Sequence, residues 1–205
     1  MAPNTAHRLG LVAIAALAAV RQPVRTTDPF AAVQAETRRH RRRHGCGAVT
    51  YGDGSLPAVI AAATGARRIV EVGTALGYTA LCMAQAAPDA RVETVESDEE
   101  HVRLARAAIA AHADPSVAER ITVRPGRAER VLRELPGGGY DLAFFDGFTP
   151  TGELVAALHR LLRPGGSLLV GNLVLGPEPA VSVHLSDPDR WQSHAFGETA
   201  LCVKR

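Results

Sequence analysis

Lysine is almost missing from this sequence. Of its 23 basic residues only Lys204 is a lysine, so no internal ammonium exists to serve as a general base or Schiff-base nucleophile. Cysteine is scarce as well. Cys46, Cys82 and Cys202 are odd in number, widely separated and free of C-x-x-C spacing, which points to neither a disulfide framework nor a structural zinc site and fits a reducing cytoplasm. Long apolar runs are also lacking: Leu9 to Val20 has 12 residues between Arg8 and Arg21, where a membrane-spanning helix needs about 20. Its basic flank and Ala16-Leu17-Ala18 resemble the regions of a secretory signal. We read it instead as an Ala-rich helix packed on the domain or on a second subunit of a homodimer.

What is present is a chain of 205 residues, 46% apolar and 21% charged, enough for one globular domain whose core needs no covalent staple. The net charge of +2 conceals an asymmetry: residues 1–50 hold eight arginines against Asp28 and Glu36, or +6, and residues 51–205 hold 15 basic against 19 acidic residues, or −4. The chain therefore divides into an N-terminal helical, basic extension, 1–50, and a mildly acidic domain, 51–205. Within the extension, Asp28-Pro29 reads as a helix start, with Asp28 as N-cap and Pro29 at the first helical position, running through Phe30, Val33 and Thr37. The run Arg38-Arg39-His40-Arg41-Arg42-Arg43-His44 attracts phosphates in principle. No aromatic residues interleave with it to stack bases, so it reads as a solvated helix end and nucleic acid is not an expected partner.

From Ser55 onward, short β-rich runs alternate with helical patterns, which predicts an α/β fold: a Rossmann-like, doubly wound, mostly parallel seven-stranded sheet with helices on both faces. The predicted strands are Arg68–Val72, Arg91–Glu96, Arg120–Arg124, Tyr140–Phe145 and Ser167–Val170. Helices are predicted at Thr79–Ala87, Glu99–His112, Arg127–Leu135 and Gly152–Leu162. Pro136-Gly137-Gly138-Gly139 and Pro164-Gly165-Gly166 read as turns. Two last strands, Trp191–Phe196 and Thr199–Val203 with Gly197 at the turn, predict a C-terminal antiparallel hairpin.

In such a sheet the ligand crevice lies outside the carboxyl ends of the strands. The first strand runs into Glu71-Val72-Gly73-Thr74-Ala75-Leu76-Gly77-Tyr78, a G-x-x-x-G loop and not G-x-G-x-x-G. Its glycines let backbone approach a ligand, and the acid at the strand end repels a pyrophosphate, so a ligand combining a carboxylate with cationic groups fits better than a dinucleotide. The second strand ends at Glu96, placed to accept hydrogen bonds from both hydroxyls of a ribose. Asp98, Glu99 and Glu100 read as caps of the next helix.

VEVGTALGYTAL, the strand ending in Glu96, GRAERVL and FFDGFTPTGELVAALHRLLRPGGSLLVGN together resemble the class I S-adenosylmethionine-dependent methyltransferases, in particular the small O-methyltransferases that include the catechol and caffeoyl-coenzyme A enzymes. The resemblance implies an enzyme that methylates oxygen on a small, aromatic acceptor. It implies that Glu71, Gly73, Thr74, Gly77 and Tyr78 surround the methionine part of the cofactor. Glu96, with Ser97 beside it, takes the ribose, and Gly126, Arg127 and Ala128 edge the adenine. Asp146 is the catalytic residue, near the sulfonium and the acceptor. The family's divalent ion, Mg²⁺ or Ca²⁺, maps onto Asp146, Gly171 and Asn172, so one carboxylate ligand is missing and only Asp146 and Asn172 remain. A family lysine is replaced by Thr149, and the segment from Leu173 to Trp191 is shorter than usual, which opens the acceptor site. Tyr51, Phe148 and Trp191 are the candidates to line it, and His44, His184 and His194 the candidate bases. Two alternatives stay open: a cofactor-binding protein with a degenerate catalytic centre, and an NAD-type oxidoreductase.

Overall fold

The computed structural model describes residues 27–52 and 54–205; the apolar run Leu9–Val20 lies outside them. In chain order the elements are α1 (Ala31–His44), α2 (Ser55–Ala63), β1 (Arg68–Val72), α3 (Tyr78–Ala86), β2 (Arg91–Glu96), α4 (Glu99–His112), α5 (Pro115–Ala118), β3 (Ile121–Pro125), α6 (Ala128–Glu134), β4 (Tyr140–Phe145), α7 (Gly152–Leu161), β5 (Leu162–Val170), α8 (Pro179–Leu185), β6 (Trp191–Phe196) and β7 (Thr199–Lys204). They build one seven-stranded sheet in the order β3-β2-β1-β4-β5-β7-β6. The first five strands in that order are parallel, and β7 enters antiparallel to β5 and carries β6 as its hairpin partner.

The central strands are apolar on both faces because helices cover both. Alternation along β1 and β4 sorts their side chains: Val70, Val72, Ala143 and Phe145 pack on the face covered by α6, α7 and α8, while Ile69, Leu142 and Phe144 point to the α2 and α3 side. A third apolar cluster joins Phe30 and Val33 of the N-terminal segment to Leu76, Tyr78, Leu81, Val102 and Ile109. The last residues of the basic extension are thereby packed into the body of the domain. Among the described residues no helix is long and apolar enough to cross a membrane.

Three local expectations are corrected. Helix α1 starts at Ala31 and not at Pro29: the Asp28 carboxylate accepts from the Phe30 N–H at 2.8 Å and from the Tyr78 hydroxyl at 2.7 Å, so its pull toward Tyr78 holds Pro29-Phe30 in a turn. Phe30, just ahead of the first helical residue, and Val33 and Thr37 within the helix are all buried. The fifth strand starts at Leu162, because Pro164-Gly165-Gly166 is an irregularity inside the strand and not a turn before it, opposite Asp141 on β4. Gly166 is required there, since a Cβ would lie 2.9 Å from the Arg163 carbonyl oxygen and 3.1 Å from that of Tyr140. Trp191 is a core residue and not a pocket wall: it is 2% exposed, packs its ring on His159 and donates from Nε1 to His184 Nδ1 at 3.2 Å.

Candidate active site

A crevice of about 610 Å³ opens at the carboxyl ends of β1, β2, β3 and β4. Val72, Gly73 and Ala75 form its floor; Glu96, Ser97, Asp98 and His101 one side; Gly126 and Ala128 the far end; and Asp146, Gly147, Phe148 and Asn172 the other side. Gly73, at φ 98°, is the hinge of the first loop. A Cβ there would stand 2.7 Å from the Asp146 carbonyl oxygen, so only glycine lets β1 and β4 release their loops side by side.

Glu96 fastens this floor to the second strand. One of its oxygens accepts from the Ala75 N–H at 2.9 Å, and the other from the Ser97 and Asp98 N–H groups at 2.8 and 3.0 Å. Asp98 caps α4 as expected, accepting from the Glu100 and His101 N–H groups. Beneath the floor, Glu71 is fully buried. One of its oxygens accepts from the Thr79 hydroxyl, and Oε2 has no hydrogen-bond partner among the described residues. Burial pushes its carboxyl up to about 7, against the lowering effect of the hydrogen bond from Thr79. Burial, then the nearby Glu71, pushes Asp146 up to about 8. The crevice and its floor thus carry four acids, Glu71, Glu96, Asp98 and Asp146, and burial pushes the carboxyls of Glu71 and Asp146 toward neutrality.

Of the residues singled out from the sequence, Gly73, Glu96, Ser97, Gly126, Ala128, Asp146 and Asn172 face the crevice together. Thr74, Gly77, Tyr78 and Arg127 do not line it. The Thr74 hydroxyl pairs with Thr94 at 2.6 Å, the Tyr78 hydroxyl with Asp28, and Gly77 packs under Ile109. Arg127 is solvent-facing beside Glu129. None of His44, His184 and His194 borders the crevice, whereas Phe148 does. Tyr51 sits behind it, its hydroxyl 2.6 Å from that of Thr199 and its ring edge-on to Phe144.

Sequence reasoning missed Arg41, Cys46, Gly47, Val49 and His101. For His101 a signal existed: it occupies the first turn of the helix that follows Glu96. For the others none did, because their place depends on the extension folding back until the Phe148 ring lies against Gly47, where a Cβ would meet it.

The divalent ion implied by the resemblance does not fit. The Asn172 amide donates to Gly147 O at 2.8 Å and to Asp146 Oδ1 at 3.3 Å, so amide and carboxylate already face each other. Gly171 offers no side-chain ligand, and the place of its Cβ lies 3.2 Å from the Tyr51 ring. One carboxylate and one amide fall well short of the roughly six oxygens that Mg²⁺ or Ca²⁺ takes.

The fold is of the doubly wound type, with its crevice at the carboxyl ends of the parallel strands. A family model described as O-methyltransferase matches residues 31–174, and the chain belongs to that family. A relative from Mycobacterium sp. (strain JLS), provisionally named an O-methyltransferase, is 39% identical over 135 residues, covering 64% of this chain and 60% of the relative. The chain thus spans about three fifths of the length of the curated relatives it matches. Among solved structures, the O-methyltransferase TomG from Streptomyces achromogenes, in complex with S-adenosylmethionine, aligns with TM-score 0.71 at 23% identity, covering 89% of this chain and 92% of that one. An O-methyltransferase from Bacillus cereus in complex with S-adenosylhomocysteine aligns with TM-score 0.73 at 20% identity, covering 94% and 97%. Both share the fold. Family membership removes the oxidoreductase alternative.

Proposed function

We propose that this chain binds S-adenosylmethionine in the crevice and transfers its methyl group to an oxygen of a small apolar or aromatic acceptor. The observation that carries this reading is electrostatic. Glu71 and Asp146 are buried acids held near neutrality, and a ligand with an ammonium and a sulfonium is the charge they lack. The ligands bound in the TomG and Bacillus cereus structures support the same cofactor. When bound, the cofactor supplies an activated methyl group; the acceptor oxygen bonds its carbon while the carbon–sulfur bond breaks and the pair returns to sulfur.

The chain's own residues do the rest. Gly73 and Ala75 bring backbone against the ligand, and Glu96 holds that loop and accepts from the ribose hydroxyls. Gly126 and Ala128 edge the adenine. Asp146, protonated in the empty crevice where its carboxyl is pushed up to about 8, ionises beside the bound sulfonium and then accepts the acceptor's proton. Holding the partners in line supplies most of the acceleration. Exposed Phe148 and Leu175 at the mouth suit an apolar acceptor. Three free cysteines suit a cytoplasmic enzyme.

The test is calorimetric titration with S-adenosylmethionine, followed by mass spectrometry of a panel of catechols and phenols incubated with the loaded protein. Saturable one-to-one binding with a gain of one methyl group is expected. Binding without methylation of any phenol supports the degenerate-centre alternative, and no binding at all overturns the proposal.

A further inference from the structure

A second cluster of chemistry lies beside the crevice. His40 on α1, Cys46 just past its C-terminus and His101 in the first turn of α4 bring an imidazole nitrogen, a thiol sulfur and a second imidazole nitrogen within 4.8 Å of one another. The rings of His40 and His101 meet edge to face with centroids 5.2 Å apart, and His44, one turn further along α1, stacks on His40 at 4.5 Å. Among the described residues no side-chain hydrogen bond engages the imidazoles of His40 or His101, and Cys46 is a free thiol. Three imidazoles and a thiol gathered in this way form no ion pair with one another, and only Asp98 and Glu100 add favourable charge from α4.

We propose that His40, Cys46 and His101 bind a Zn²⁺ ion that clamps α1 to α4, with solvent as the fourth ligand. The donor set is decisive. Nitrogen and thiolate ligands suit a borderline-soft dication and not Mg²⁺ or Ca²⁺. Bonds of about 2.0–2.3 Å put tetrahedral ligand atoms roughly 3.3–3.6 Å apart, so side-chain rotations that draw the three atoms in by about 1 Å close the site. The thiolate offsets part of the ion's charge against Arg41 and Arg42, which border Cys46. His40 and Cys46 stand far from His101 in sequence, which is why cysteine spacing alone gave no sign of the site. Its consequence is mechanical: Cys46, Gly47 and Val49 wall the crevice, and a metal at Cys46 fixes that wall.

The test titrates the reduced full-length chain with Co²⁺ as a spectroscopic stand-in and then displaces it with Zn²⁺, without S-adenosylmethionine, so its outcome is independent of cofactor binding. The proposal expects thiolate-to-cobalt absorption saturating at one ion per chain and bleached by Zn²⁺. That absorption vanishes in Cys46→Ser, and affinity drops at least tenfold in His40→Gln. Circular dichroism of both variants should match the parent, since both positions are at least partly exposed. Absorption that survives Cys46→Ser, or Zn²⁺ affinity unchanged in His40→Gln, overturns the site.

Discussion

Both oxygens of Glu96 already serve the backbone, one holding Ala75 and the other Ser97 and Asp98. A ribose therefore adds to an acceptor that is fixed in advance, and removing the carboxylate loses the ligand's bonds and the loop's tether together. Glu96→Ala should weaken S-adenosylmethionine binding by about 2–4 kcal/mol, roughly thirtyfold to several hundredfold. Calorimetry on a folded variant checks this, and an unchanged dissociation constant removes Glu96 from the site. Glu71 makes a different prediction. Its folded carboxyl titrates at about 7 against an ordinary 4.5, so between these values the native state holds a proton that the unfolded chain has released. Stability without ligand must then fall as pH rises from about 4.5 to 7, by on the order of 3 kcal/mol from this group alone. Urea midpoints between pH 5 and 8 should decline in the parent and flatten in Glu71→Gln; the remaining slope belongs to Asp146, whose carboxyl is pushed up to about 8.

At the scale of elements, the strand-to-loop junctions carry the chemistry and tolerate least. Gly73→Ala forces a side chain into positive φ and within 2.7 Å of the Asp146 carbonyl. It should cost at least about 2 kcal/mol and abolish cofactor binding, because the β1 and β4 loops must separate. A parent-like melting temperature would contradict the close approach. Strand identity is legible in the amino-acid pattern itself, since alternating buried runs and Gly-Pro punctuation locate Arg68–Val72, Arg91–Glu96 and Tyr140–Phe145 without error. The Pro164-Gly165-Gly166 segment misleads because turn chemistry and a bulge inside a strand use the same residues. Glu96 and Asp146 are legible because strand ends point to the crevice. Tyr78 is misplaced by sequence reasoning because its ring direction is set by Asp28, fifty positions away in the chain.

Across the described residues, helix α1 is laid back over the sheet domain beside the crevice. Val33, fully buried in the cluster with Leu76 and Leu81, anchors that helix. Val33→Ala should lower stability by about 2 kcal/mol in a single unfolding transition. Two transitions in a denaturant titration would mean that α1 is an independent unit. The return path also splits the basic run by function. Arg41 borders the crevice, whereas Arg38, Arg39, Arg42 and Arg43 do not. Replacing those four with Gln should leave S-adenosylmethionine affinity unchanged, while Arg41→Gln alone shifts it severalfold by calorimetry. Equal effects of the two variants would show that only the net charge of the helix matters.

The far edge of the sheet offers a different use. Lys204, the only lysine in the sequence, donates from Nζ to the carbonyl oxygens of His159 and Leu162, both at 2.8 Å, bolting β7 to the junction of α7 and β5. An amine-acylating reagent therefore finds one lysine target, and that amine must leave two carbonyls before it reacts. The rate of acylation at Lys204, read by mass spectrometry, becomes a clock for the release of β7 from the α7–β5 junction, obtained without any substitution.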